Sequence, residues 1–167
     1  MTLDLTFWED EAAWTVFVGL DLNDRLEAAL WRGDNALPMA LWADWRLASA
    51  DPRAVLRIAR WRGAPFALVG LQPTGVAGVM QAALVAADHK RHRRALARLT
   101  RLIAGELPDR AAEWGVSRIE VRSWTHHPTA ARLLTACGFR LETKLAGMPA
   151  PYAQYAWTLD HGEPPCA

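Results

Sequence analysis

An apolar run that ends at a cluster of basic side chains is the feature that most constrains this chain. Residues 76–87 are mostly apolar, and residues 89–94 are all basic or imidazole side chains. The spacing of Ala95, Leu99 and Ile103 predicts a helix that begins at this cluster. Unpaired N–H groups already give a helix N-terminus partial positive charge, so several cations there are unfavourable unless an anion binds. The pattern therefore predicts a strand leading into a helix with a phosphate-binding N-terminus.

The basic run has three interpretations. Residues 1–84 hold seven Lys and Arg against ten Asp and Glu, whereas residues 85–167 hold twelve against eight. The positive charge is therefore local, which favours a small phosphate-bearing ligand. Nucleic acid is the second interpretation, and it is less favoured because no aromatic side chain is interleaved with the cations for base stacking. The third is a solvated helix start or a contact with an acidic protein.

Length and composition limit the class of protein. The 167 residues are 51% hydrophobic, so we expect one domain over residues 1–160 and a flexible tail at 161–167. Cys137 and Cys166 provide neither a disulfide framework nor the spacing of a metal site. The sequence shows no signal-peptide pattern and no apolar stretch of roughly 18 residues. We therefore expect a protein of the reducing cytoplasm, or of an assembly built there.

Tryptophans are concentrated near the N-terminus. Large amphipathic rings in one region either fill the core or form an interface with another copy or another protein. The acidic residues 9–11 keep the interface interpretation open. Six of the nine tryptophans lie in the first 61 residues: Trp8, Trp14, Trp31, Trp42, Trp45 and Trp61.

Hydrophobic periodicity predicts the element order β-α-α-β-β-β-α-β-α-β-β. Adjacent strands and single crossover helices in this order predict an α/β fold, with a mixed, mostly antiparallel twisted sheet and helices on both faces. The predicted strands are 15–20, 54–61, 65–71, 76–87, 117–124, 139–145 and 152–159. The predicted helices are 23–32, 37 to the proline at 52, 90–106 with a continuation to 114, and 128–136.

This order, together with the segment from Val85 to Phe139, resembles the GNAT (Gcn5-related N-acetyltransferase) superfamily of acyl-CoA-dependent transferases. Residues 129–139, TAARLLTACGF, are similar to the family stretch A-x-x-x-Y-x-x-x-G-F, and residues 116–122, VSRIEVR, are similar to its fifth strand. The resemblance implies acetyl-CoA, or another acyl-CoA, as the cofactor. It also implies acetyl transfer to an amine of a small molecule or a protein.

The resemblance also implies which residues bind the cofactor. The family's pyrophosphate loop, R/Q-x-x-G-x-G/A, falls on residues 91–96 or, one residue later, on 92–97, and neither segment contains a glycine. Arginine side chains would have to replace the close backbone approach that glycine permits. Chain atoms at the splayed fourth and fifth strands would hydrogen-bond the pantetheine. The predicted cofactor-binding residues are Val85, Ala87, Arg91, His92, Arg93, Arg94, Ala95 and Leu96.

His127 and Glu120 are the main candidates for proton transfer, and two tyrosines are candidates for a replacement acid. The family's frequent general acid, a tyrosine, falls on Leu134, which has no proton to donate; Tyr152 or Tyr155 can replace it. His127, between the fifth strand and the last helix, either exchanges a proton near the thioester or caps that helix. Glu120 is a general base if its side chain faces the ligand cleft, whereas strand alternation equally permits a solvent-facing position.

Two functions are therefore predicted. The first is an acyl-CoA-dependent N-acyltransferase. The alternative is a non-catalytic GNAT-fold structural or interaction protein, which would be associated with a particle. The glycine-poor, arginine-rich loop together with the Ala-Ala-Arg-Leu-Leu helix at 130–134 also resembles GNAT-like proteins of bacteriophages and prophages, some of which are virion components. The missing glycines, Leu134 and the tryptophan-rich N-terminal region favour this alternative.

Overall fold

The structure is a computed structural model that describes residues 2–147 and 151–159. The predicted tail at 161–167 lies outside the described residues. The strands are β1 (Leu3–Thr6), β2 (Val55–Trp61), β3 (Ala64–Pro73), β4 (Val79–Ala86), β5 (Arg118–Trp124), β6 (Arg140–Leu145) and β7 (Tyr152–Thr158). The helices are α1 (Asp10–Val18), α2 (Leu22–Arg32), α3 (Pro38–Ser49), α4 (His89–Glu113) and α5 (Ala130–Ala136), with a 3-10 turn at Gly33–Ala36.

The strands form one mixed sheet in the order β1-β2-β3-β4-β5-β7-β6. Neighbouring strands are antiparallel except β4 and β5, which are parallel. The parallel pairing joins Val79, Met80 and Gln81 only to Arg118, Ile119 and Glu120. Beyond it the two strands diverge, between residues 82–86 of β4 and 121–124 of β5. We call this opening the strand split, because it leaves backbone groups of both strands without ladder partners.

Helices cover both faces of the sheet, which confirms the predicted fold class. On one face, Val16 and Phe17 of α1 pack with Ile58 and Leu68 of the central strands. On the other face, α4 packs through Leu99 and its neighbours, and α5 follows it through Leu134 and Cys137.

The predicted strand at residues 15–20 is wrong. Residues 15–18 are the second half of α1, Gly19 caps that helix, and Leu20 forms an isolated bridge to Ala87. The first strand is instead β1, which pairs with β2. The β-branched and aromatic run favours a strand locally. The helix forms because Ala12, Ala13, Val16 and Phe17 share one face, which is buried against the sheet. Tertiary burial therefore overrides the local preference.

The N-terminal tryptophans divide between the core and the surface. Four of them are partly buried and pack against core residues on the two faces of the sheet: Trp8, Trp42, Trp45 and Trp61. Trp14 and Trp31 remain 36% and 45% exposed. The core interpretation thus accounts for most of these rings, and an interface with another chain stays a prediction.

Candidate functional site

A cleft of about 790 Å³ opens at the strand split, where β4, β5, α2, α4 and α5 meet. Helix α2 lines it with Asp24, Glu27, Ala28 and Trp31. These positions are spaced i, i+3, i+4 and i+7, so they lie on one face of the helix. We call this surface the acidic face of α2. It brings two carboxylates and one aromatic ring to the cleft.

The two carboxylates bind the diverging strands. Asp24 Oδ2 accepts the backbone N–H of Ala86 on β4 at 2.8 Å. Glu27 Oε1 accepts the backbone N–H of Trp124 on β5, also at 2.8 Å. Each strand thus loses a ladder partner at the split and gains a carboxylate from α2. The helix therefore holds the split open by satisfying one donor on each side.

Asp24 also joins a buried histidine network. Its Oδ1 atom lies 3.0 Å from Nε2 of His127, and Nε2 of His89 lies 3.2 Å from the same carboxylate. His127 Nδ1 accepts the backbone N–H groups of Thr129 and Ala130 at 3.3 and 3.1 Å. His127 therefore caps α5 with one ring nitrogen and links α5 to α2 with the other.

The hydrogen bonds of His127 identify this network as a proton-bearing arrangement and not a metal centre. One nitrogen or oxygen atom each from Asp24, His89 and His127 lies within 4.8 Å of the others, close enough to surround an ion. A metal-bound histidine, however, donates from its second nitrogen to an outer partner. In His127 that second nitrogen accepts two N–H groups, so Nε2 must carry the proton and cannot also bind a metal.

Burial and hydrogen bonding shift the pKa values of three groups at the cleft. Burial disfavours charge on Asp24, but hydrogen bonds from His127 and His89 outweigh it and lower the Asp24 pKa. Burial likewise disfavours charge on His89, but Asp24 outweighs it and raises the His89 pKa. Burial raises the pKa of Glu27, and the nearby Asp24 charge adds to that increase.

These directions predict a pH window for stability. His89 has a raised pKa, so its contribution is complete below the ordinary value of 6.5 and is lost as the pH rises through the folded value. Asp24 has a lowered pKa, so its contribution is present above 3.8 and is lost as the pH falls through the folded value. We expect the free energy of unfolding to fall from pH 6 to pH 9, and His89→Gln to remove much of that fall. Urea unfolding across this range measures both, and an unchanged slope in the variant would contradict the assignment.

The N-terminus of α4 is already partly bound by the protein's own carboxylates. The His89 N–H donates to Asp21 Oδ2, and the Arg91 N–H donates to Asp88 Oδ1, each at 2.9 Å. Asp21 also accepts the N–H of Asn23 at the start of α2. The basic run predicted that an external anion binds at this helix end. The carboxylates of Asp21 and Asp88 supply part of that negative charge instead.

Three of the eight predicted cofactor-binding residues line the cleft: Val85, Arg93 and Leu96. The other five do not: Ala87, Arg91, His92, Arg94 and Ala95. Ala95 is buried in the core, and the His92 ring stacks on Phe66 with centroids 5.3 Å apart. Arg91 and Arg94 are exposed on α4. Cofactor contacts through these residues stay predictions.

The two catalytic candidates differ in position. His127 lines the cleft as the α5 cap described above. Glu120 does not line it, and its Oε1 atom accepts a hydrogen bond from Arg118 Nε at 2.8 Å. The observed contacts of both residues are structural, because His127 caps α5 and Glu120 binds Arg118. A catalytic role for either residue stays a prediction.

Besides Arg32, four arginines line the cleft and give it a positive rim: Arg93, Arg101, Arg122 and Arg132. In the described part of the chain, none of them has a carboxylate within ion-pair distance. Three of them, Arg101, Arg122 and Arg132, lie outside the basic run at residues 89–94. Unpaired guanidinium groups around a cleft favour an anionic ligand, because each can grip phosphate oxygens with two N–H groups.

Comparison with known proteins identifies the fold. No protein-family model matches the sequence, and no curated protein is significantly similar to it. Among solved structures, yncA from Salmonella typhimurium, with its cofactor acetyl-CoA, has a TM-score of 0.67 at 12% identity, covering 100% of this chain and 99% of that one. AAC(6')-Ib, in complex with ribostamycin and coenzyme A, has a TM-score of 0.68 at 15% identity, covering 99% and 100%.

A GNAT-family acetyltransferase from Streptococcus pneumoniae has a TM-score of 0.63 at 15% identity, covering 95% of this chain and 99% of that one. These likenesses show that the chain has the acetyltransferase fold, which confirms the architecture implied by the sequence resemblance. In the described residues, none of the helices is long and apolar enough to cross a membrane.

Proposed function

We propose that this protein is an acyl-CoA-dependent N-acyltransferase that transfers an acetyl group to an amine. The observation that carries the proposal is the cleft at the strand split, with its rim of unpaired arginines. Solved structures of the same fold contain acetyl-CoA or coenzyme A, and one also contains ribostamycin. A small-molecule amine acceptor and a cytoplasmic location are part of this proposal.

The arginine side chains of the cleft are better suited to bind the phosphates of coenzyme A than the N-terminus of α4 is. Two N–H groups of that N-terminus already bind Asp21 and Asp88, and additional anionic oxygens there would meet like charge. The side chains of Arg93, Arg101 and Arg132 would instead hold the phosphates. When bound, acyl-CoA supplies an activated acyl group.

Replacing arginines at the cleft should weaken coenzyme binding. We expect acetyl-CoA to bind the wild-type chain, and Arg93→Ala with Arg101→Ala to weaken binding by at least tenfold. The reason is that each charge-assisted hydrogen bond contributes roughly 1.5–3 kcal/mol before solvent screening. Isothermal titration calorimetry measures both affinities.

The matched control is the double variant Arg91→Ala with Arg94→Ala. It removes the same charge from the same helix but from positions that do not line the cleft. Equal weakening of acetyl-CoA binding by both double variants would show that the affinity depends only on the total positive charge of α4. No detectable heat with millimolar acetyl-CoA would overturn the transferase proposal.

The second candidate function is that of a non-catalytic GNAT-fold interaction or structural protein, such as a component of a phage-like particle. A specific observation favours it. The carboxylates of Asp21 and Asp88 occupy donors of α4 at the end where the sequence resemblance places the pyrophosphate. Leu134 lines the cleft with an alkyl side chain at the position of the family's usual acid. Failure to bind acetyl-CoA in the same titration would favour this candidate.

A further inference from the structure

We propose that Glu27 is the catalytic base, which takes the proton from the acceptor amine at the strand split. The inference rests on the acyltransferase function proposed above and assigns a catalytic residue to it. Glu27 lines the cleft from α2, an element that the sequence resemblance left without any catalytic role. It is thus a carboxylate at the point where β4 and β5 diverge.

The Glu27 carboxylate is held in one orientation. Its Oε1 atom accepts the Trp124 N–H at 2.8 Å, which ties the side chain to the end of β5. Ser123 lies beside it and favours its charged form, although the Ser123 Oγ makes no well-formed hydrogen bond. The bond to Trp124 uses Oε1, so Oε2 has lone pairs for a substrate proton. A fixed acceptor with a spare oxygen is what general-base catalysis requires.

An aromatic pair lies next to Glu27. Trp31, one turn further along α2, stacks on Tyr152 with ring centroids 3.9 Å apart. The Tyr152 hydroxyl is buried and has no hydrogen-bond partner among the described residues. Tyr152 is only 4% exposed, and such unpartnered buried groups are rare. The site therefore offers an unused polar atom close to the carboxylate, which a substrate or water can satisfy.

The charges that face Glu27 support its role as a base. Burial raises the pKa of Glu27 and the charge of Asp24 raises it further, whereas the hydrogen bond from the Trp124 N–H and the neighbouring His127 and Ser123 partly oppose them. Burial, and then the proximity of Glu27, raise the pKa of Tyr152, which keeps that hydroxyl protonated. A carboxylate with a raised pKa is a stronger base and is still mostly ionised at neutral pH when the increase is moderate.

The proposed step conserves atoms and charge. Glu27 accepts one proton from the amine as the nitrogen lone pair forms a bond to the thioester carbonyl carbon. The carbon–sulfur bond then breaks, and the sulfur leaves with the electron pair. The proton on Glu27 returns to that sulfur directly or through solvent. The products are an amide and free coenzyme A, and Glu27 is restored as a carboxylate.

The second carboxylate that lines the cleft, Asp24, is less suited to this step. Asp24 accepts hydrogen bonds from Ala86, His89 and His127, and its pKa is lowered. Each of these bonds would have to be lost before it could take a substrate proton. Glu27 lines the same cleft, but its carboxylate accepts one backbone hydrogen bond, from the Trp124 N–H, and its pKa is raised.

Glu27→Gln tests the assignment. Glutamine keeps an oxygen that accepts the Trp124 N–H, so the contact with β5 is retained while the base is removed. We expect acetyl-CoA affinity within threefold of wild type and turnover at least 100-fold lower, because a positioned base typically contributes roughly 10²–10⁴-fold. The assay follows coenzyme A release from acetyl-CoA with a panel of primary alkylamines, polyamines and aminosugars. Glu106→Gln, an exposed carboxylate on α4, is the matched control and should match wild type.

The pH profile and a titration of the carboxyl group separate the base from a structural role. The wild-type rate should fall at acidic pH as Glu27 is protonated, and that limb should be absent in the residual activity of Glu27→Gln. Carbon-13 NMR of the Glu27 carboxyl should show a pKa above the ordinary 4.5. A normal pKa, turnover of Glu27→Gln within threefold of wild type, or acetyl-CoA binding without transfer to any amine of the panel would overturn the assignment. Absence of acetyl-CoA binding would instead overturn the acyltransferase proposal itself.

Discussion

Asp24→Ala is expected to lower the free energy of unfolding by about 3–5 kcal/mol, which is the typical cost of removing one partner from a buried charged pair. The Asp24 carboxylate is almost fully buried and accepts hydrogen bonds from Ala86, His89 and His127. The alanine variant leaves these donors unpaired inside the protein, and each unsatisfied donor is costly. Chemical denaturation at pH 6 measures the effect.

The control for this prediction is Asp44→Ala. Asp44 also pairs with a cation, Arg32, but its side chain is 57% exposed. Exposed pairs contribute roughly 0–1 kcal/mol, so this variant should remain close to wild type. A loss below about 1 kcal/mol for Asp24→Ala would mean that water replaces the carboxylate at the split. The hydrogen bonds of Asp24 would then not be the interactions that hold α2 against β4.

The chain from β4 to α5 could be predicted from sequence because its signals are local. The apolar run, the amphipathic helix and Gly115 after it indicate a strand, a long helix and its end without any knowledge of distant residues. The helix α4 ends at Glu113, and Gly115 has a positive φ of 65°, as a helix stop requires. The segment 15–20 misled the prediction because its β-branched residues favour a strand and only the sheet beneath it decides otherwise.

The candidate site could be predicted only in part because its main contacts are distant in sequence. Asp24 reaches Ala86, 62 residues away, and Glu27 reaches Trp124, 97 residues away. No local pattern shows such pairings. The spacing of Asp24, Glu27 and Trp31 on one helical face was the available signal, since two carboxylates and an aromatic ring on a half-buried face are uncommon without a partner.

The basic run illustrates a related difficulty. The cations at 89–94 predicted an external anion, yet Asp21 and Asp88 supply carboxylates to the same helix end. Asp88 directly precedes α4 and is a favoured capping residue, so its role was visible in the sequence. Asp21 is the N-cap residue of α2, and only the fold brings it near the start of α4. Arg93, Arg101, Arg122 and Arg132 line the cleft, and under the proposed function they shift the expected phosphate contacts from the helix end to side chains.

His127→Ala is expected to lower the free energy of unfolding by about 3 kcal/mol, because it removes both the α5 cap and the hydrogen bond to Asp24. Two conservative variants separate these contributions. In His127→Asn the amide oxygen takes the place of Nδ1 and keeps the cap. In His127→Gln the amide nitrogen takes the place of Nε2 and keeps the bond to Asp24. We expect each to recover about 1 kcal/mol or more of the lost stability.

The same three variants decide whether His127 has a catalytic role. A cap requires only an acceptor, so turnover per folded molecule should stay within threefold of wild type in His127→Asn. A proton-transferring imidazole has no substitute in asparagine or glutamine, and its loss typically lowers turnover roughly 10²–10⁴-fold. Turnover is therefore measured at a temperature where all variants are folded, with circular dichroism as the check. A tenfold or greater loss in a fully folded His127→Asn would assign His127 to catalysis, because the variant that keeps the helix cap would then have lost the chemistry alone.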